Sequence, residues 1–232
     1  PATARFIARK MYDFFVADEP PVPSWRQSEP RDMDAIKTLE KAYFDSGYEI
    51  SAMLKALFTS DFFKSESVHY AKVKSPAEVV VGTLRMVGRH TGPEPGLFFV
   101  AMEPKYMGMD LLNPPTVEGW HTGAEWINSG TLIDRINFAA GLLGDTELPG
   151  VKLIIDRLMD GSDAIRPEDF VDGCLDLTGP LTIAEETRSE LVAHVQSGGE
   201  LRHESESERQ DFSQRTGEML QFIATTSEFQ FS

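Results

Sequence analysis

Glu118 and Glu125 bracket a loop that carries Trp120 and Trp126, with His121 between them. A pair of carboxylates beside an indole is what a carbohydrate-directed hydrolase or lectin uses. One carboxyl gives a proton, the other takes one or attacks, and the sugar ring stacks on the aromatic face. With Asn113, which opens the loop, these residues form the candidate binding set: Asn113, Glu118, Trp120, His121, Glu125 and Trp126. The same residues admit a plainer reading. Large aromatics usually end up buried, and the preferred reading makes both tryptophans plugs that lock the loop to the body. Two glutamates among 37 acidic residues are a weak signal.

Other chemistries have less support. His69, His90, His121, His194 and His203 include no pair three or four residues apart, so no helix face presents two imidazoles to a metal. There is no G-x-S-x-G nucleophile elbow, and Ser129 reads as a helix cap. S-G-G-E at 197–200 follows a helix rather than opening one, so it is a stop signal and not a phosphate loop. Cys174, the single cysteine, reads as a small buried apolar residue. No metal and no cofactor is expected, and the catalytic residues, if any, are unassigned.

The elements that position the loop are helices. Pro114 and Pro115 stiffen it, Gly119 and Gly123 let it turn on both sides of Trp120, and a helix capped by Ser129 follows. That helix carries Leu132, Ile133, Ile136 and Ala140, and Gly144 is placed for a left-handed stop. Upstream, Thr3 to Val16 predicts a helix with Phe6, Ile7, Met11, Phe14 and Phe15 on its apolar face, and Arg5, Arg9, Lys10 and Asp13 over much of the rest. The prolines of A-D-E-P-P-V-P-S-W make a stiff connection. A hairpin of two helices follows, one capped at Asp32 or Asp34 and carrying Ile36 and Leu39, the other ending near Ser60. Ser75-Pro76-Ala77-Glu78 is a capping box that opens a helix ending near Gly88. A helix from Leu97 to about Met107 is kinked or shortened by Pro104. Helices are also predicted over Val151 to Met159, from Arg166-Pro167, from a second capping box at Thr182–Glu185, and around Phe212 to Ile223. His203 to Gln210 reads as a solvated loop or first turn. The result is an all-α bundle of roughly eight to ten helices, residues 1–232 forming a single domain with one long ordered Pro/Gly/Trp loop.

Composition narrows the partners. A formal net charge of −15 over 232 residues repels phosphate backbones, and no dense basic run offsets it, so nucleic acid is not expected. No apolar run is long enough to cross a bilayer. The chain begins at Pro1 without a signal peptide, and a fragment or processed product is expected.

Five separated stretches carry a resemblance: R-K-M-Y-D-F-F-V-A-D-E-P-P, F-D-S-G-Y-E-I-S-A-M-L-K-A-L-F-T-S-D-F-F, V-K-S-P-A-E-V-V-V-G-T-L-R, the loop and helix from Asn113 to Phe138, and T-S-E-F-Q. In this order they resemble the C-terminal half of the bacterial family known as domain of unknown function 1800. The resemblance covers most of the chain and implies an often exported protein, encoded beside other exported proteins, with no activity to carry over. In the family form of the loop, G-W-P-G-G, proline is common where His121 stands and glycine where Thr122 stands. The family loop therefore does not require an imidazole.

The leading expectation is a non-enzymatic binding or scaffold module, part of a larger exported assembly. It would dock another protein or the missing N-terminal half, and such a module should expose a sizeable apolar patch. The alternative is the carbohydrate-directed hydrolase or lectin built on Trp120, Glu118 and Glu125.

Overall fold

The computed structural model describes residues 2–160, 163–179 and 181–231, and they are helix and connecting turn almost throughout, the all-α fold that the periodicity predicts. The chain divides into two compact units. Unit 1 holds the residues up to Val73 with His121–Glu125 and Phe231; unit 2 holds Lys74–Trp120 and Trp126–Gln230.

Unit 1 is built on α1 (Ala2–Phe15), α2 (Met33–Asp45) and α3 (Ile50–Thr59). Asp32 caps α2 by accepting from the amides of Asp34 and Ala35, and α2 and α3 form the expected hairpin. The buried stripe of α1 differs from the predicted one. It runs through Ala4, Ala8 and Tyr12 and includes Arg9, while Phe6 and Phe14 are exposed. Alanines let α2 approach α1 closely, and the bulky phenylalanines are displaced to the flanks. Ile36, Leu39, Met53 and Leu57 complete the core. Trp25 packs on α1 through Phe6, at 5.6 Å between ring centres.

In unit 2 the longest helix, α11 (Glu206–Thr225), packs against α7 (Ser129–Leu143) and α9 (Pro167–Thr178), and α4 (Pro76–Val87) lies on α7 and α8 (Pro149–Leu158). Gly150, at the start of α8, sits against the end of α4 so closely that a Cβ there would overlap the Met86 carbonyl oxygen. The core runs from Val87 through Leu143, Ile154 and Phe170 to Phe212 and Leu220. The stretch from Leu97 breaks into two single turns, α5 (Leu97–Val100) and α6 (Glu103–Tyr106), with Pro104 near the start of the second where its missing N–H costs nothing. A helix α10 (Glu185–Ser197) and a last turn α12 (Ser227–Gln230) complete the unit. One antiparallel pair, β1 (Ala164–Ile165) with β2 (Leu201–Arg202), joins two of its loops.

Several helix ends depart from expectation. Asn128, not Ser129, caps α7: its side chain accepts from the amides of Gly130 and Thr131, and Thr131 returns the bond. Gly144 closes that helix with right-handed geometry, φ −79°. Ala184 occupies the N-cap of α10 without a side-chain bond, and its N–H donates instead to Glu228 at 3.2 Å. Ser205 and Glu208 form a capping box that opens α11 inside the stretch read as solvated, and His203 there is buried against Phe212. The box at Ser75 and Glu78 is as predicted.

Cys174 is fully buried in α9, and burial pushes its thiol well above the usual cysteine range. It is expected to be inert to Ellman's reagent in the folded chain and to react only as fast as the chain unfolds; rapid labelling under native conditions would contradict this placement.

Candidate functional site

The loop after α6 is organised around Asp110. Its carbonyl accepts the indole N–H of Trp120 at 2.9 Å. Its carboxylate accepts from Asn113 Nδ2 at 3.1 Å and pairs with Lys105 at 3.1 Å, and these two contacts hold its pKa below the usual carboxylate range. Thr116 and Gly119 close a tight turn, with Gly119 at φ +111°, and Val117 and Glu118 stand exposed at its tip. Trp126 is 5 % exposed, and its carbonyl accepts from Thr131 Oγ1 at 2.8 Å. An indole so enclosed offers no face for a ring to stack on. Trp120 is half-buried.

His121 and Glu125 belong to unit 1, whereas Asn113, Glu118, Trp120 and Trp126 belong to unit 2. His121 Nδ1 lies 3.8 Å from Glu125 Oε1, with both side chains open to solvent. Gly123, between them, has φ +57°, and a Cβ there would come within 3.1 Å of the Asp18 carboxyl carbon. Asp18 in turn accepts from the amide of Val73 at 2.7 Å and pairs with Lys72 at 3.3 Å. Asn113 and Trp120 thus converge on Asp110, and His121 faces Glu125. Glu118 stands apart from the Asp110 contacts. Among the described residues no three His, Cys, Asp or Glu side chains are grouped so as to hold a metal ion.

Among the described residues the most enclosed charged side chains, Arg135, Arg9 and Glu19, lie elsewhere, and the sequence signal of the two arginines is a charge inside an apolar stripe. In unit 2, Arg135 shares the stripe of Ala139 and Leu143 and is 0 % exposed. Its Nε donates to Gln230 Oε1 at 3.1 Å, and one terminal amino group donates to the Lys74 carbonyl at 2.6 Å and, more weakly, to the Gln230 carbonyl at 3.5 Å. The other terminal amino group is buried without a hydrogen bond among the described residues. Among the described residues the guanidinium forms no ion pair, and burial, only partly offset by the charge of Glu78, draws its pKa down to about 10, so it is still a cation at neutral pH. Lys74 is held nearby: its Nζ donates to the Phe229 carbonyl at 2.7 Å and lies 5.2 Å from that residue's ring centre.

In unit 1, Arg9 and Glu19 form a buried ion pair. Nε and one terminal amino group of Arg9 reach Glu19 Oε2 at 2.8 and 2.6 Å. The guanidinium also donates to the carbonyls of Ser28 and Glu29 at 2.9 and 3.1 Å, and Glu19 Oε1 accepts the Arg31 amide at 2.7 Å. One ion pair therefore pins the whole proline-rich connection to α1. Both nodes tie backbone carbonyls or amides of distant segments to one side chain. They hold segments together, and at 0–5 % exposure their side chains are enclosed rather than presented to a substrate.

Three of the stretches that carry the resemblance meet at the first node: Lys74 comes from V-K-S-P-A-E, Arg135 from the helix after the loop, and Gln230 from T-S-E-F-Q. No helix among the described residues is long and apolar enough to cross a membrane. Comparison with curated proteins and with solved structures found no match. A family model described as "Protein of unknown function (DUF1800)" matches residues 1–231, and the chain belongs to that family.

Proposed function

We propose that this chain is a non-enzymatic protein-binding module whose docking surface is the segment from Leu97 to Val117 in unit 2. One observation carries the reading. Phe98 and Phe99 are each 73 % exposed, Leu112 is 95 % exposed, and Tyr106, Leu111 and Val117 are exposed as well. Covering side chains of this size is worth about 1.5–3 kcal/mol each, and a monomer seldom leaves so many of them open in one short stretch. The segment is nonetheless anchored. Pro104 and Met107 are buried beneath it, and the Trp120 indole holds the Asp110 carbonyl. Leu112 adopts φ +63°, a strained conformation for a branched residue, while its side chain points into solvent. An anchored backbone with outward apolar side chains suits a partner's apolar surface better than a reacting substrate.

The proposal sets the module in a larger exported assembly, as the family resemblance implies. A single buried thiol is compatible with an oxidising compartment. The test is a photo-crosslinking residue in place of Phe98. It is expected to give one discrete adduct in an extract of the native host. Leu112→Glu should abolish that adduct while leaving the thermal midpoint within about 2 °C, since surface changes cost little stability. Absence of any adduct, or one indifferent to Leu112→Glu, would overturn the reading.

A further inference from the structure

We propose that a cleft in unit 1, between the first turns of α1 and the turn Val22–Arg26, binds a small amphiphilic anion with an aromatic or branched apolar body and one carboxylate. The cleft encloses about 800 Å³, within the span of small-molecule sites. Phe6, Val22, Pro23 and Trp25 supply its apolar lining. Its charged lining is Arg5, Arg9 and Arg26, with no carboxylate among the residues that line it. Two of these cations are paired with carboxylates outside the lining, Arg5 with Glu40 and Arg9 with Glu19, and among the described residues Arg26 is left uncompensated. An anion would find guanidinium donors beside an apolar floor.

The walls are set before any ligand arrives. The Trp25 indole N–H donates to the Pro20 carbonyl at 2.6 Å, and the Arg9 guanidinium sits 4.7 Å from the Trp25 ring centre, locked by the Glu19 pair. Arg9 is thus wall rather than ligand-binding donor. Arg5 gives its Nε to Glu40 at 3.0 Å, and its two terminal amino groups form no hydrogen bond among the described residues. Arg26, the exposed last residue of its turn, has no hydrogen bond or ion pair among them. Arg26 and the two terminal amino groups of Arg5 can take a carboxylate in forked geometry.

The probe is 1-naphthoate, compared with neutral 1-naphthalenemethanol by titration calorimetry. Naphthoate is expected to bind at least tenfold more tightly than the alcohol, and more weakly as salt is raised. Replacing Arg5 and Arg26 together by Gln should weaken naphthoate roughly five- to tenfold, the scale of a charge-assisted contact, and leave the alcohol unchanged. Lys152→Gln, in unit 2, should change neither. Intermolecular nuclear Overhauser contacts from naphthoate to Phe6 and Val22 in the unsubstituted chain locate the ligand without any variant. The proposal fails if naphthoate does not bind at about 1 mM. It fails equally if acid and alcohol bind alike, if the Gln pair makes no difference, or if the contacts map elsewhere.

Discussion

Arg135→Ala is expected to destabilise unit 2 by about 3–5 kcal/mol, the scale for breaking a buried charged network. The substitution removes the donors to Gln230 Oε1 and to the Lys74 carbonyl, and leaves a cavity on the stripe of Ala139 and Leu143. Arg135→Met should cost about half as much, because it refills the volume and dispenses with the buried charge, though it still strands the acceptors. The charge itself is unfavourable to the fold. Burial puts the folded pKa near 10, below the unfolded value, so the native state binds fewer protons between those two values. The penalty is therefore fully present below about pH 10 and is relieved only as pH rises above it. Urea unfolding at neutral pH, combined with hydrogen exchange in α7, measures both variants. A loss below about 1 kcal/mol for alanine would show that the network does not secure unit 2.

Glu19→Ala should cost unit 1 about 3–5 kcal/mol, because it leaves a guanidinium that is 3 % exposed without its anion. It also frees the Arg31 amide, and with it the connection from Pro20 to Pro30. Arg9→Met combined with Glu19→Leu should recover most of that loss, since a paired charge can be exchanged for apolar volume more cheaply than it can be halved. The double-mutant cycle should thus give a coupling of at least about 2 kcal/mol. Fluorescence of Trp25, which stacks on Arg9, is the local probe of this unit. Additive single substitutions would mean that the pair is incidental.

These nodes show where sequence reading stops. The capping box at Ser75, the α2–α3 hairpin and the proline-stiffened loop before α7 were legible, because each is decided by residues within a few positions of one another. The start of α11 was equally local, in Ser205 and Glu208, but a run of charges concealed it. The faces of α1 and α7 were not legible. Ile133 satisfies helical spacing yet is exposed, and Arg135 breaks the apolar pattern yet is buried. The candidate site divides in the same way. Trp126 as a core plug was one of the two readings open in sequence, whereas the placement of His121 and Glu125 in a different unit from Asn113 and Trp120 was not foreseeable.

By itself the sequence determined that this protein is helical, where several of its helices begin, and to which family it belongs. Turn, cap and period are short-range properties, and five ordered motifs survive in the chain without regard to their arrangement in space. Only the tertiary structure decided which face each helix buries and which charges lie inside. Arg135 meets Gln230 across 95 residues of sequence. A guanidinium can be buried only where such distant acceptors converge, and no local pattern records that convergence.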